Sequence, residues 1–175
     1  KKRDKKGFKG ATVIDPVPGF YEDPLFCLDF ASLYPSIMIA HNLCFTTYID
    51  HYNYGRLSAV ERENYEATPN GDYFLKKDVW EGTIPKILKH LLAARDATKK
   101  EMAAEKDPVK KGLLNARQTT IKLACNSMYG FTGNSRGQLT TLAISAGVTA
   151  FGRKMINDVQ DLVLKLGGCR KDTRM

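Results

Sequence analysis

Apolar residues recur at helical spacing over three long stretches of this chain. From Thr83 onward, Ile84, Ile87, Leu88, Leu91, Leu92 and Ala94 return at three- and four-residue steps, which predicts an amphipathic helix with Pro85 near its start. Asp107-Pro108 breaks that pattern. A second helix is expected from Val109 to about Tyr129, after which Gly130, Gly133 and Gly137 mark a turn-rich hairpin. A third helix runs from Ala143 to Leu166. It is small and apolar at first, through Ala143, Ala146, Val148 and Ala150, and is closed by Gly167-Gly168.

The first third follows another rhythm. Ala11 to Val17 is β-branched and bounded by Gly10 and prolines, so a short strand is expected to enter a turn at Pro18-Gly19. Leu25 to Phe30 is a continuous apolar run holding one carboxylate, the pattern of a buried strand. Ser32 then stands where it can cap a helix over Pro35 to Ala40. Strand, tight turn, helix is the predicted local architecture. Residues 48 to 79 are polar, tyrosine-rich and interrupted by Pro69-Asn70-Gly71, which predicts a long loop with a hairpin at Asp72 to Leu75. No internal repeat or low-complexity linker appears.

Composition narrows the class. With 175 residues, 43% of them hydrophobic and 26% charged, one globular core is expected. The apolar runs fall short of the roughly 18 residues that a membrane span needs, and no signal-peptide-like segment follows the lysine-rich start, so neither membrane insertion nor secretion is expected. Cys27, Cys44, Cys125 and Cys169 are far apart with no CxxC pair, which disfavours a disulfide framework or zinc site and fits a reducing intracellular compartment. The net charge of +8 is concentrated in two places. Lys1 to Lys9 hold six basic residues against one Asp, and Arg95 to Lys122 hold eight against four acids. Solvated faces would explain both; so would contact with a polyanion.

Three constellations bear on that choice. In DFASLYPSI, Asp29 to Ile37, a carboxylate suited to a metal stands beside a tight turn and helix start whose N–H groups, at Ser32 to Tyr34, suit phosphate. In KLACNSMYG, Lys122, Asn126 and Tyr129 lie at i, i+4 and i+7, so a cation, an amide and an aromatic ring share one helix face. Arg95 and Lys99 are a like-charged i, i+4 pair, which weakens a helix unless an anion sits between them. Singly, each also fits a salt-bridged Asp or a wet helix surface.

Together, DFASLYPSI and KLACNSMYGFTG resemble motifs A and B of the family B DNA polymerases, in the family's order and at a similar separation. Longer stretches, including IMIAHNLCFTT, VWEGTIPKILKHLLAARDATKKEMAAEKDP and GVTAFGRKMI, are most similar to the eukaryotic replicative members and their relatives in large DNA viruses. The resemblance implies an α/β fragment of a right-hand polymerase: an α+β palm over residues 1–82, long antiparallel helical fingers over 83–131, and a return to the palm over 132–175. It implies that Asp29 is catalytic and, with the backbone of Phe30, a ligand of two Mg2+ ions. Ser32, Leu33, Tyr34, Arg95, Lys99, Lys122, Asn126 and Tyr129 would bind the incoming dNTP, Tyr34 serving as the gate against ribose. Phe8, Lys9 and Gly10, in a variant of the family's YxGG element, and Gly130, which would permit close approach, are implied to meet DNA.

That family carries a second carboxylate motif, YGDTD, after motif B. No such sequence occurs up to Met175; Asp172-Thr173 lacks both the preceding Gly and the second Asp. The expectation is therefore a partial catalytic core, inactive alone, acting on primer-template DNA and dNTP within a parent that also engages a sliding clamp and accessory subunits. Its location would be the nucleus, or an infected host cell if viral. The alternatives are a non-catalytic DNA-binding or scaffold relative and a single-strand nucleic-acid-binding module.

Overall fold

A computed structural model describes residues 9–16, 18–22, 24, 27–134 and 141–166. In chain order the elements are α1 (Leu33–Ala40), β1 (Tyr48–Ile49), α2 (His51–Gly55), α3 (Ala59–Arg62), β2 (Tyr65–Ala67), β3 (Tyr73–Leu75), α4 (Thr83–Ala104), α5 (Pro108–Gly133) and α6 (Leu142–Lys165). The fold is a helical assembly with a small antiparallel sheet, an α/β fragment as expected. No helix among the described residues is long and apolar enough to cross a membrane.

The core lies where α1, α4, α5 and α6 meet the sheet. Ile37 and Met38 of α1, Ile84 and Leu88 of α4, Cys125 of α5, Ile144, Val148 and Phe151 of α6, and Phe74 of β3 are buried together with Leu43 and Cys44. Small residues at the start of α6 let it be enclosed all round: Ile144 to Gly152 are buried without a break. A Cβ at Gly147 would come within 3.3 Å of Thr68, so neighbouring chain packs close to that helix.

Helices α4 and α5 are joined by residues 105–107 alone, and so short a link makes them antiparallel neighbours. Asp107 ends the link as a cap, its Oδ1 accepting from the Val109 N–H at 2.8 Å with Pro108 at the first helical position. The start of α4 is satisfied from afar. Gly82 offers no side chain there; instead its N–H donates to Asn42 Oδ1 at 2.8 Å, that of Ile84 to Cys44 Sγ at 3.4 Å, and that of Thr83 to Thr46 Oγ1 at 3.5 Å. A Cβ at residue 82 would stand 2.7 Å from that of Cys44, so only glycine fits.

Four sequence expectations change. Residues 9–16 and 27–30 form no strand, and Val13, Ile14 and Leu28 are exposed. An extended segment becomes a strand only by pairing, and the sheet formed by the described residues pairs only β1 with β3 and β2 with β3, taking in neither segment. Ser32 precedes α1 but makes no side-chain cap, because it adopts the left-handed conformation (φ 50°, ψ 48°) and its hydroxyl meets Arg95 instead. Residues 48–79 form all three strands and two short helices rather than a loop with one hairpin. Finally, α5 continues through Gly130 to Gly133. Thr132 is buried, and its hydroxyl shares a 3.1 Å hydrogen bond with Ser145 of α6; such contacts offset the roughly 1 kcal/mol cost of each helical glycine. Gly137 and Gly167-Gly168 lie outside the described residues.

Candidate functional site

A cleft of about 670 Å³ opens between the turn before α1 and the facing sides of α4 and α5. Its floor is Asp29 to Tyr34; one wall carries Arg95 and Lys99 of α4, the other Lys122, Asn126 and Tyr129 of α5. Helical periodicity explains the walls. Residues 95 and 99 are one turn apart, as are 122 and 126, so each helix directs its polar pair to one side. Their apolar neighbours Leu92 and Cys125 also line the cleft.

The floor depends on an uncommon backbone. A left-handed, non-glycine residue costs about 1 kcal/mol, and here Ser32 is held there by a contact across the cleft: Arg95 Nη1 donates to its hydroxyl at 3.2 Å. The first intrahelical bond of α1 runs from Ser36 N to Ser32 O at 3.0 Å, so the N–H groups of Leu33 and Tyr34 precede the ladder. With the positive end of the helix dipole they favour an anion at this wall.

Charge points the same way. Arg95, Lys99 and Lys122 face a single carboxylate, Asp29, and among the described residues the side chains of Asp29, Lys99 and Lys122 have no hydrogen-bond or ion-pair partner. Asp29 is exposed, so it carries no burial penalty that a cation must relieve; its interest lies in its place in the cleft. Tyr34 and Tyr129 close one side, their ring centroids 4.5 Å apart and tilted by 52°. Burial first, and then Tyr34, push the Tyr129 hydroxyl above its usual pKa. Burial likewise raises the Cys125 thiol, with the Arg95 charge pulling back.

The donor set fits part of the implied metal. As a hard oxygen ligand, the exposed Asp29 carboxylate would suit one Mg2+, an ion that usually takes its remaining ligands from water and substrate phosphates. Asp29 is the one carboxylate lining the cleft, and no group of three or more candidate ligands occurs among the described residues.

Ten of the fourteen residues singled out from the sequence thus lie on one cleft. Lys9 and Gly10 do not. Their carbonyls are held on α6, where Arg153 Nη1 donates to them at 2.8 and 2.6 Å and Thr149 Oγ1 donates to Lys9 at 3.0 Å. Gly130 lies on α5 away from the cleft lining, with open space where a Cβ would stand. Phe8 is outside the described residues. Sequence reading missed Ala31, Leu92 and Cys125 in the lining, and Gln118 behind Arg95. Leu92 and Cys125 were open to discovery, being three residues from Arg95 and Lys122.

A family model described as DNA polymerase family B matches residues 1–173. The chain is 53% identical over 154 residues to the DNA polymerase delta catalytic subunit of Caenorhabditis elegans, covering 88% of this chain and 14% of that protein. It is 49% identical over 158 residues to the corresponding protein of Schizosaccharomyces pombe, covering 90% and 14%. Among solved structures, the family B DNA polymerase from the hyperthermophilic archaeon Pyrobaculum calidifontis is similar with a TM-score of 0.72 and 32% identity, over 95% of this chain and 21% of that one. The chain therefore spans about one seventh of the length of these two curated relatives.

Proposed function

The chain belongs to DNA polymerase family B, and from that premise we propose that its cleft binds the triphosphate of an incoming dNTP as part of the catalytic core for template-directed DNA synthesis. The observation that carries this reading is the meeting of three cations from two helices with one carboxylate and a helix start in a single cleft. In the reaction a primer 3′-hydroxyl attacks the α-phosphorus in line, and pyrophosphate leaves with the electrons of the broken P–O bond.

The chain's own residues do the positioning. Arg95, Lys99 and Lys122 neutralise the phosphate tail, and the N–H groups of Leu33 and Tyr34 take phosphate oxygens. Asn126 supplies an amide to the same tail, and the Tyr34 ring underlies the sugar where a 2′-hydroxyl would stand. Asp29 and the Phe30 carbonyl would hold Mg2+, which when bound neutralises phosphate charge and favours loss of the primer hydroxyl's proton. Lys9 and Gly10, with Phe8, are assigned to the DNA, and Gly130 leaves room for it. Helices α4 and α5 act as fingers over residues 83–131, and the flanking residues 1–82 and 132–175 as palm. Sliding-clamp and accessory-subunit contacts, and a nuclear or infected-cell location, follow for a longer polymerase containing this segment.

Calorimetric titration of the 175-residue chain with dTTP and dTMP in Mg2+ tests the reading. The triphosphate is expected to bind more tightly and in a salt-sensitive way. Lys122→Ala should weaken it roughly tenfold or more, since a charge-assisted hydrogen bond contributes about 1.5–3 kcal/mol. Equal binding of the two nucleotides, or an unchanged Lys122→Ala, overturns the proposal. A non-catalytic DNA-binding relative would bind duplex DNA without this preference for triphosphate.

A further inference from the structure

Arg95 does not reach the cleft unaided. Its Nε donates to Gln118 Oε1 of α5 at 3.3 Å, while Nη1 donates to Ser32 Oγ at 3.2 Å. Gln118 is itself fixed: its Nε2 donates to Asn115 Oδ1 and to Thr119 Oγ1, both at 3.0 Å. With the amide nitrogen committed to α5's own side chains, the carbonyl oxygen is the end left to face Arg95. A relay thus runs Asn115 to Gln118 to Arg95 to Ser32, from the outer part of α5 across α4 to the cleft floor.

Both acceptors that Arg95 meets are uncharged. A guanidinium carries five N–H donors, and these two contacts leave three for an anion. Gln118 also precedes Lys122 by four residues, one turn away on the same side of α5, so this helix presents one cation and steadies another. We infer that Gln118 is a positioning residue: it aims Arg95 at the triphosphate, and the neutrality of its amide oxygen preserves the guanidinium charge for that ligand. A carboxylate at residue 118 would orient Arg95 as well but would satisfy its charge, in a half-buried place where Coulomb attraction is stronger than in water. The inference rests on the triphosphate reading of the cleft.

The experiment compares wild type, Arg95→Ala, Gln118→Glu and Gln118→Met as 175-residue chains titrated with dTTP and dTMP in Mg2+, with thermal melting alongside. Gln118→Glu keeps the shape and the acceptor facing Arg95 but loses the Nε2 donor to Asn115 and Thr119, so a merely structural effect would lower the melting temperature and weaken both nucleotides alike. The inference predicts that dTTP binding weakens roughly tenfold, about 1.4 kcal/mol, while dTMP binding changes little and the melting temperature does not fall. Gln118→Met, which loses the carbonyl but adds no charge, is expected to weaken dTTP less. Wild-type dTTP affinity in Gln118→Glu overturns the inference. If that variant is unfolded by circular dichroism, wild-type affinity in Gln118→Met does so. An unaffected Arg95→Ala, or a wild type that fails to bind dTTP, overturns the triphosphate reading instead.

Discussion

At the scale of single residues, the cleft owes its shape to side chains that restrain one another. Tyr34 is wedged: its ring contacts Tyr129 at a 4.5 Å centroid distance, and a Cβ at Gly152 of α6 would come within 3.9 Å of it. A ring confined by α5 and α6 is a rigid wall, suited to rejecting a substrate for one extra hydroxyl. In a chimera where this segment replaces its counterpart in the Schizosaccharomyces pombe relative, Tyr34→Val should leave dNTP incorporation largely intact. It should also lower discrimination against rNTP by roughly tenfold or more, because a steric barrier is removed without a new contact. Single-turnover incorporation of paired dNTP and rNTP measures the ratio, and an unaltered ratio refutes the gate. Tyr34 was legible from its motif. Gln118 was not, because a polar residue on a polar helix face carries no periodic signal and its role exists only once α4 lies against α5.

At the scale of elements, the base of α4 decides how the cleft is held open. Asn42 has a left-handed backbone (φ 52°) and is 1% exposed. Its Nδ2 donates to the carbonyls of Leu75 and Trp80, and its Oδ1 accepts from Gly82 N, so one side chain ties the end of the sheet and the link after it to the start of α4. Asn42→Ala leaves these groups without that partner and places alanine in a left-handed site. Chemical denaturation should register a loss of about 3 kcal/mol or more, a large part of a domain's stability. A loss below about 1 kcal/mol would show that the neighbouring Cys44 and Thr46 contacts suffice alone. The long helices were readable because α4, α5 and α6 each exceed twenty residues and repeat their apolar period many times. The sheet was not, since strands of two or three residues cannot display alternation. The described part of the apolar run, residues 27–30, misled for the opposite reason: an apolar run states a preference for burial, and strand formation depends on a partner that the sequence of the run does not contain.

At the scale of the whole molecule, the proposed triphosphate site divides into a binding half and a chemical half. Its binding half is well furnished: three cations, a helix start and a tyrosine pair come from three places along the chain and converge because α4 and α5 pack together over α1. Its chemical half would rest on Asp29, the one carboxylate that lines the cleft, and on its neighbour Phe30. Two divalent ions a few ångströms apart repel strongly, and a single carboxylate cannot neutralise both. The 175-residue chain is therefore expected to retain dTTP and yet give no template-dependent primer extension, even at high protein excess. The Schizosaccharomyces pombe chimera, with its additional residues, should extend primers and lose nearly all incorporation on Asp29→Ala. Its DNA affinity in a gel-shift titration should stay nearly unchanged, because duplex affinity is spread over many phosphate contacts. Two outcomes would contradict this division. Extension by the 175-residue chain that disappears on Asp29→Ala would mean that it supplies both halves, and undiminished incorporation by the Asp29→Ala chimera would remove Asp29 from the chemistry.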